Sequence, residues 1–160
     1  MAGPVRASWV AAFIILGLGW TASAVAKDIA LISNKASHVD AVNLPDLVKI
    51  CKGQTTRWPD GKPVTLVTRD PASPDMKLVL QKIYEMPKED VAALIVSANR
   101  ARQNHPAIIV ADSDAAIVKK VESTPGALGL VDVYAITGGV TVVRVGNKLP
   151  LEPGYVLHGN

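Results

Sequence analysis

Pro125 and Gly126 separate a helix-period segment from an apolar run of strand length in VESTPGALGL, residues 121–130. Pro125 disfavours the helical region for Thr124, and Gly126 permits the positive φ that a type II turn needs at its third position. A helix therefore has to stop within a residue so that ALGLV can enter a sheet. Gly129, inside that run, predicts close approach of a neighbouring backbone.

The same alternation recurs along the chain. DIALISN is a short apolar run of strand length, and LPDLVKICKG after it changes period. Leu44, Leu47, Val48 and Cys51 fall at i, i+3, i+4 and i+7, one helical face, with Asn43 as N-cap, Asp46 in the first turn and Gly53 as the C′ residue. Cys51 on that face is a core residue. PVTLVT, after the turn signal PDG, has the β-branched content of a strand. In PASPDMKLVLQKIYEM, Ser73 is an N-cap and Pro74 sits at N1, with Met76, Val79, Leu80 and Ile83 on one face. A further helix begins near Lys88 with Val91, Leu94 and Ile95 inward, and Pro106 limits its end. AIIV is a brief apolar run. A helix capped by Ser113 or Asp112 follows it, with Asp114 at its start and Lys119 and Lys120 nearer its end, as the helix dipole favours. GGVTVVRVGN is a last strand, with Gly138 and Gly139 turning into it. Strands alternating with helices specify one α/β domain.

The first 26 residues do not belong to that pattern. One positive charge at Arg6 precedes an apolar or small run from Trp9 to Trp20, and ASAVA places Ala24 and Ala26 where a signal peptidase reads small residues. The run is about 12 residues, short of the roughly 20 that a membrane span needs. The expectation is a signal peptide over 1–26, cleavage after Ala26, a single domain over 27–160, and a periplasmic or secreted protein. Cys51 is the only cysteine, so no internal disulfide can form. One cysteine and three scattered histidines, His38, His105 and His158, do not make a zinc site. Without Arg6 the basic side chains outnumber the acidic ones by two. That excess is too small and too dispersed for a nucleic-acid face.

Five segments in order, IALISNK, LPDLVKICKGQTTRWPDGKPVTLVTRD, SPDMKLVLQKIY, VESTPGALGLVDV and NKLPLEPGYVL, resemble the phosphate-binding-type periplasmic substrate-binding proteins of ABC transporters. In that family they correspond to a strand, a leucine-rich helix with a glycine-lysine-tryptophan loop, a ligand-loop helix, a TPG turn with its strand, and a closing GYPL-like segment. The family's receptors have two lobes and about twice this length. The resemblance thus implies a short, single-lobe member: one lobe of a periplasmic-binding-protein-like α/β fold, a central mixed sheet flanked by helices.

The resemblance also implies a site. The family holds oxyanions with backbone N–H groups and hydroxyls at helix N-termini, often helped by an arginine and an aspartate, and orphan N–H donors with the positive dipole end explain why. TRDPASPD matches the family's R-x-D-G-S-G-T-T loop. Arg69 and Ser73 fall on its arginine and first serine, Asp70 comes one place early, and Pro74 and Asp75 stand where glycine and threonine would be. Arg69, Asp70, Ser73 and Asp75 are the implied anion-binding residues, with Pro74 removing one N–H donor. SANRARQNH, with Arg100 and Arg102, sits where the family has a glycine-rich loop, and reads as a charged helix end. Trp58 reads as a packing residue.

In function, the resemblance implies a non-enzymatic solute-binding module for phosphate or a similar oxyanion, without cofactor or metal. A homodimer or an envelope partner would supply what the single lobe lacks, and the membrane would be met only through a partner. The alternative is a single-lobe envelope protein that serves interaction or structure and has lost small-ligand binding. The lone histidines have no serine or carboxylate at an informative spacing, so a nucleophilic enzyme is not supported.

Overall fold

A computed structural model describes Gly3, residues 27–102 and residues 104–159. The expected signal peptide, but for Gly3, lies outside the described residues. Six strands, β1 (Ile29–Asn34), β2 (Ala41–Val42), β3 (Thr65–Arg69), β4 (Ile108–Ala111), β5 (Ala127–Asp132) and β6 (Val140–Val145), form one sheet. Their order is β2-β6-β1-β5-β3-β4. β3 runs parallel to β4 and β5, and β2 parallel to β6, while β1 is antiparallel to both its neighbours, β5 and β6. The sheet is therefore mixed, and the N-terminal end of β1 lies at the same edge as the carboxyl ends of β3, β4 and β5.

Helices cover both faces. α1 (Leu44–Cys51) and α3 (Lys88–Arg100) pack on one face with a composite helix, a 3-10 turn over Pro74–Met76, α2 (Lys77–Val79) and a π-helical turn over Leu80–Tyr84. α4 (Asp114–Ser123) packs on the other face. Alternation within the strands feeds both layers: Leu31, Leu66, Leu128 and Leu130 join the first, Ala30, Ile32, Val67 and Val131 the second. Fully buried leucines of this kind contribute about 2–5 kcal/mol each against truncation to alanine.

Local chemistry sets the helix ends. Asn43 accepts from Asp46 N at 2.8 Å, and Gly53 takes a positive φ of 71° after α1. The buried stripe of α1 is rotated from the expected one. Leu47, Ile50 and Cys51 are buried, whereas Leu44 and Val48 are only partly covered. Burial also pushes the Cys51 thiol well above its usual range, as suits a core cysteine. In the next helix the expected face Met76, Val79, Leu80 and Ile83 changes at the π turn. Glu85 N donates to Leu80 O at 2.8 Å, an i→i+5 bond. That extra residue leaves Leu80 half-buried and brings Tyr84 into the core, where its hydroxyl donates to Cys51 O at 3.0 Å.

The Thr124–Ala127 turn forms as its sequence requires. Thr124 is extended, Gly126 has φ 85°, and Ala127 N donates to Thr124 O at 3.1 Å. Gly129 is needed for a different reason from the one expected. A Cβ there would lie 2.7 Å from Ile117 Cγ2 and 2.9 Å from Val121 Cγ2, so it is side chains of α4, not a backbone, that occupy the space.

The two ends of the described domain are stitched together. Ile29 N donates to Leu157 O, Gly159 N to Lys27 O, and Tyr155 Oη to Ile29 O, at 2.8–3.1 Å. Asp28, almost fully buried, accepts from Leu151 N through Oδ2 and lies 2.6 Å from His158 Nδ1 through Oδ1. This pair joins residues too far apart in sequence for spacing to have revealed it.

Candidate functional site

Because β1 enters the sheet antiparallel, Lys27 sits at the edge where β3 and β5 end. Open α/β sheets place ligands at this edge, outside the carboxyl ends of the parallel strands. A cleft of about 420 Å³ opens there. One part of its lining is acidic: Asp75 from the 3-10 turn, Asp114 from the first turn of α4 and Asp132 from the end of β5. Another part is basic, with Lys27, Lys77 and Lys82, and a third is apolar, with Ile29, Pro74 and Leu78.

Most of these charges are already paired. Arg69, at the end of β3, reaches Asp75 Oδ2 at 3.3 Å and Asp114 Oδ1 at 3.6 Å through one guanidinium nitrogen, while its buried Nε has no hydrogen-bond partner among the described residues. Asp114 Oδ2 also accepts from Asp132 N at 3.3 Å, which ties α4 to β5. Lys27 Nζ lies 3.1 Å from Asp132 Oδ2. The hydrogen bond and the charge of Asp132, helped by Asp75 and Asp114, hold the Lys27 ammonium above its ordinary value. Lys77 and Lys82 take part in no ion pair among the described residues, so they are the cations of the cleft free to meet a ligand.

Of the residues read from the sequence, Arg69 and Asp75 meet here, with Arg69 behind the lining and joined to two of its acids. Asp70 and Ser73 do not share the cleft. Asp70 Oδ1 accepts from Ala72 N at 2.8 Å, and Ser73 Oγ accepts from Asp75 N at 3.4 Å, as a helix cap does. Ser73 lines an adjoining groove with Leu80, Glu85 and Met86, which shares Lys77 and Gln81 with the cleft. Lys27, Lys77, Lys82, Asp114 and Asp132 escaped the sequence reading as site residues. The signal that could have found two of them was present. Asp114 opens a helix after one strand and Asp132 closes another, so parallel β3 and β5 bring both to the Arg69 edge.

The other candidates have structural work. Arg102 donates through its guanidinium to Val64 O at 2.9 Å, Thr55 O at 3.0 Å and Gly53 O at 3.2 Å. It is a clamp between loops rather than a charged helix end, and burial lowers its pKa. Arg100 is exposed. Trp58 packs against the core, as expected, and its indole N–H bonds the Gly126 carbonyl. Among the described residues no group of three or more His, Cys, Asp and Glu side chains is placed to hold a metal ion.

The sequence matches no protein-family model and no curated protein. Solved structures do match. An ABC-type phosphate transport receptor from Vibrio cholerae superposes with a TM-score of 0.67 at 17% identity, over 84% of this chain and 54% of that one. The fold is one periplasmic-binding-protein-like lobe. PstS from Borrelia burgdorferi gives a TM-score of 0.65 at 16% identity, over 84% of this chain and 55% of that one. A phosphate-binding protein from Stenotrophomonas maltophilia gives 0.58 at 18% identity, over 78% and 40%. The lobe spans about half the length of these proteins, and its mixed sheet with helices on both faces is the architecture it shares with them.

Proposed function

We propose that this lobe is a non-enzymatic, exported solute-binding module whose ligand presents a phosphate-like oxyanion, and that it works beside an ABC-type transport system in the periplasm. The observation that carries this is the cleft at the carboxyl ends of β3 and β5, with Lys77 and Lys82 unpaired in its wall. Arg69 fixes the cleft from behind its lining by joining Asp75 to Asp114. Asp70 and Ser73 shape the loop that carries Asp75. A second copy or an envelope protein would supply the wall opposite. No helix among the described residues is long and apolar enough to cross a membrane.

Charge-assisted hydrogen bonds contribute roughly 1.5–3 kcal/mol each, against association costs of at least about 4 kcal/mol. A one-walled cleft should therefore bind with a Kd of about micromolar to millimolar. Calorimetry of the exported, processed chain with phosphate and with sulfate tests this. Heat with either anion, weakened in Lys82→Gln and Arg69→Ala but retained in Ser73→Ala, is the expected result. No heat at millimolar concentration sinks the reading. A second reading, an envelope interaction protein without a small ligand, is favoured by the engagement of Arg69 with two carboxylates. Co-purification of the tagged chain with other envelope proteins, and without a permease, would support it.

A further inference from the structure

We propose that the cleft takes an organic anion, a phosphomonoester or similar oxyanion on a compact apolar body, in preference to a free inorganic oxyanion. This rests on the solute-binding reading and narrows its ligand. A free oxyanion is selected by a close shell of N–H and O–H donors that replaces its hydration. Such a shell is missing at the loop where the sequence places it. Pro74 has no N–H, and Ser73 Oγ caps Asp75 N and faces the other groove. The cleft itself, at about 420 Å³, falls in the range of roughly 300–1,000 Å³ found for sites that enclose organic ligands.

Its lining has the parts such a ligand requires. Lys77 and Lys82 are exposed and unpaired, and Leu78 belongs to the same helix, with Ile29 also in the lining. Asp75, Asp114 and Asp132 repel an anionic head and direct it toward the lysines, so the apolar body is left to cover Leu78 and Ile29. Gln81, also in the lining, can donate or accept at the join between head and body.

The test is calorimetry of the purified exported chain with three probes, phenyl phosphate, inorganic phosphate and phenol. Phenyl phosphate is expected to bind at least about tenfold more tightly than either of the others. Lys82→Gln, at an exposed position, should weaken both phosphates. Leu78→Ser, checked for folding by circular dichroism, should bring phenyl phosphate close to inorganic phosphate and leave the latter unchanged. Inorganic phosphate binding as tightly as phenyl phosphate would overturn this inference and leave the solute-binding reading standing. Phenol binding as tightly would overturn it too, since the head would then contribute nothing. No binding by either phosphate overturns both.

Discussion

The indole Nε1 of Trp58 donates to the carbonyl of Gly126 at 2.9 Å, fastening the loop after α1 to the turn between α4 and β5. Gly126 N in turn donates to Ser37 Oγ at 2.8 Å, and a Cβ on Gly126 would run into the Pro63 carbonyl oxygen. The turn is thus held by two segments distant in sequence, the loop after α1 and the 3-10 turn that carries Ser37. Trp58→Phe keeps most of the ring but leaves that carbonyl without its donor, at a cost of about 1–3 kcal/mol. Urea denaturation should show a lower midpoint with an unchanged slope, and an unaltered midpoint would mean the bond contributes nothing. Gly126→Ala should be worse, because it adds a clash to a φ of 85° that alanine disfavours.

Arg102 spreads one guanidinium over three backbone carbonyls of the loop between α1 and β3. Arg102→Lys keeps the charge and loses the planar fork, so it should recover little of what Arg102→Ala loses, about 2–3 kcal/mol. Equal stability of the lysine variant and the parent would show that charge alone suffices.

Gly129→Ala would place a methyl group 2.7–3.1 Å from Ile117, Val121 and Ile32. Overpacking of this kind costs about 1–3 kcal/mol and should push α4 off the sheet. Asp114 travels with α4, so anion affinity should change together with stability. A variant that loses stability while binding as before would separate α4 from the site.

Alkaline pH should loosen the fold. Burial raises the pKa of Cys51, Tyr84 and Tyr155 above their ordinary values, with the charge of Asp28 adding to the effect at Tyr155. Each group holds its proton more firmly folded than unfolded. Its contribution is therefore complete below the unfolded pKa, near 9.0 for Cys51 and 10.0 for the tyrosines, and is lost as pH rises from there toward the raised folded value. Each proton involved lowers stability by about 1.4 kcal/mol per pH unit. Urea midpoints at pH 7, 9, 10 and 11 should fall above pH 9, and less steeply above pH 10 in Tyr84→Phe. The same steepness in that variant would remove Tyr84 from the account.

Much of the fold was legible because its junctions are written in residues with few conformational options. Asn43, Gly53, Ser73 with Pro74, and Pro125 with Gly126 each mark an end, and apolar period supplied the segments between. Tyr84 was not legible, since one π turn moves it from flank to core and no local residue announces that turn. Arg102 was missed because its partners lie in a loop remote in sequence. For the site, Arg69 was readable as a charge at a strand end. Lys27, Asp114 and Asp132 join it only through the antiparallel insertion of β1 and the parallel pairing of β3 with β5, which periodicity does not encode. The loop around Ser73 looked like an anion cradle by resemblance, yet its hydroxyl caps its own turn.

β1 occupies the middle of the sheet, but its partners are made much later: Leu31 pairs with Leu130 on one side and Val143 on the other. A chain emerging from the ribosome thus carries its central strand with both edges open until β5 is available, and with one edge open until residues beyond 140 follow. Pairing so distant in sequence slows folding. On the proposed route of export, where a chain is threaded through a secretion channel before it folds, this delay would keep it extended in transit, and β6 on leaving the channel would be the strand that lets the sheet close.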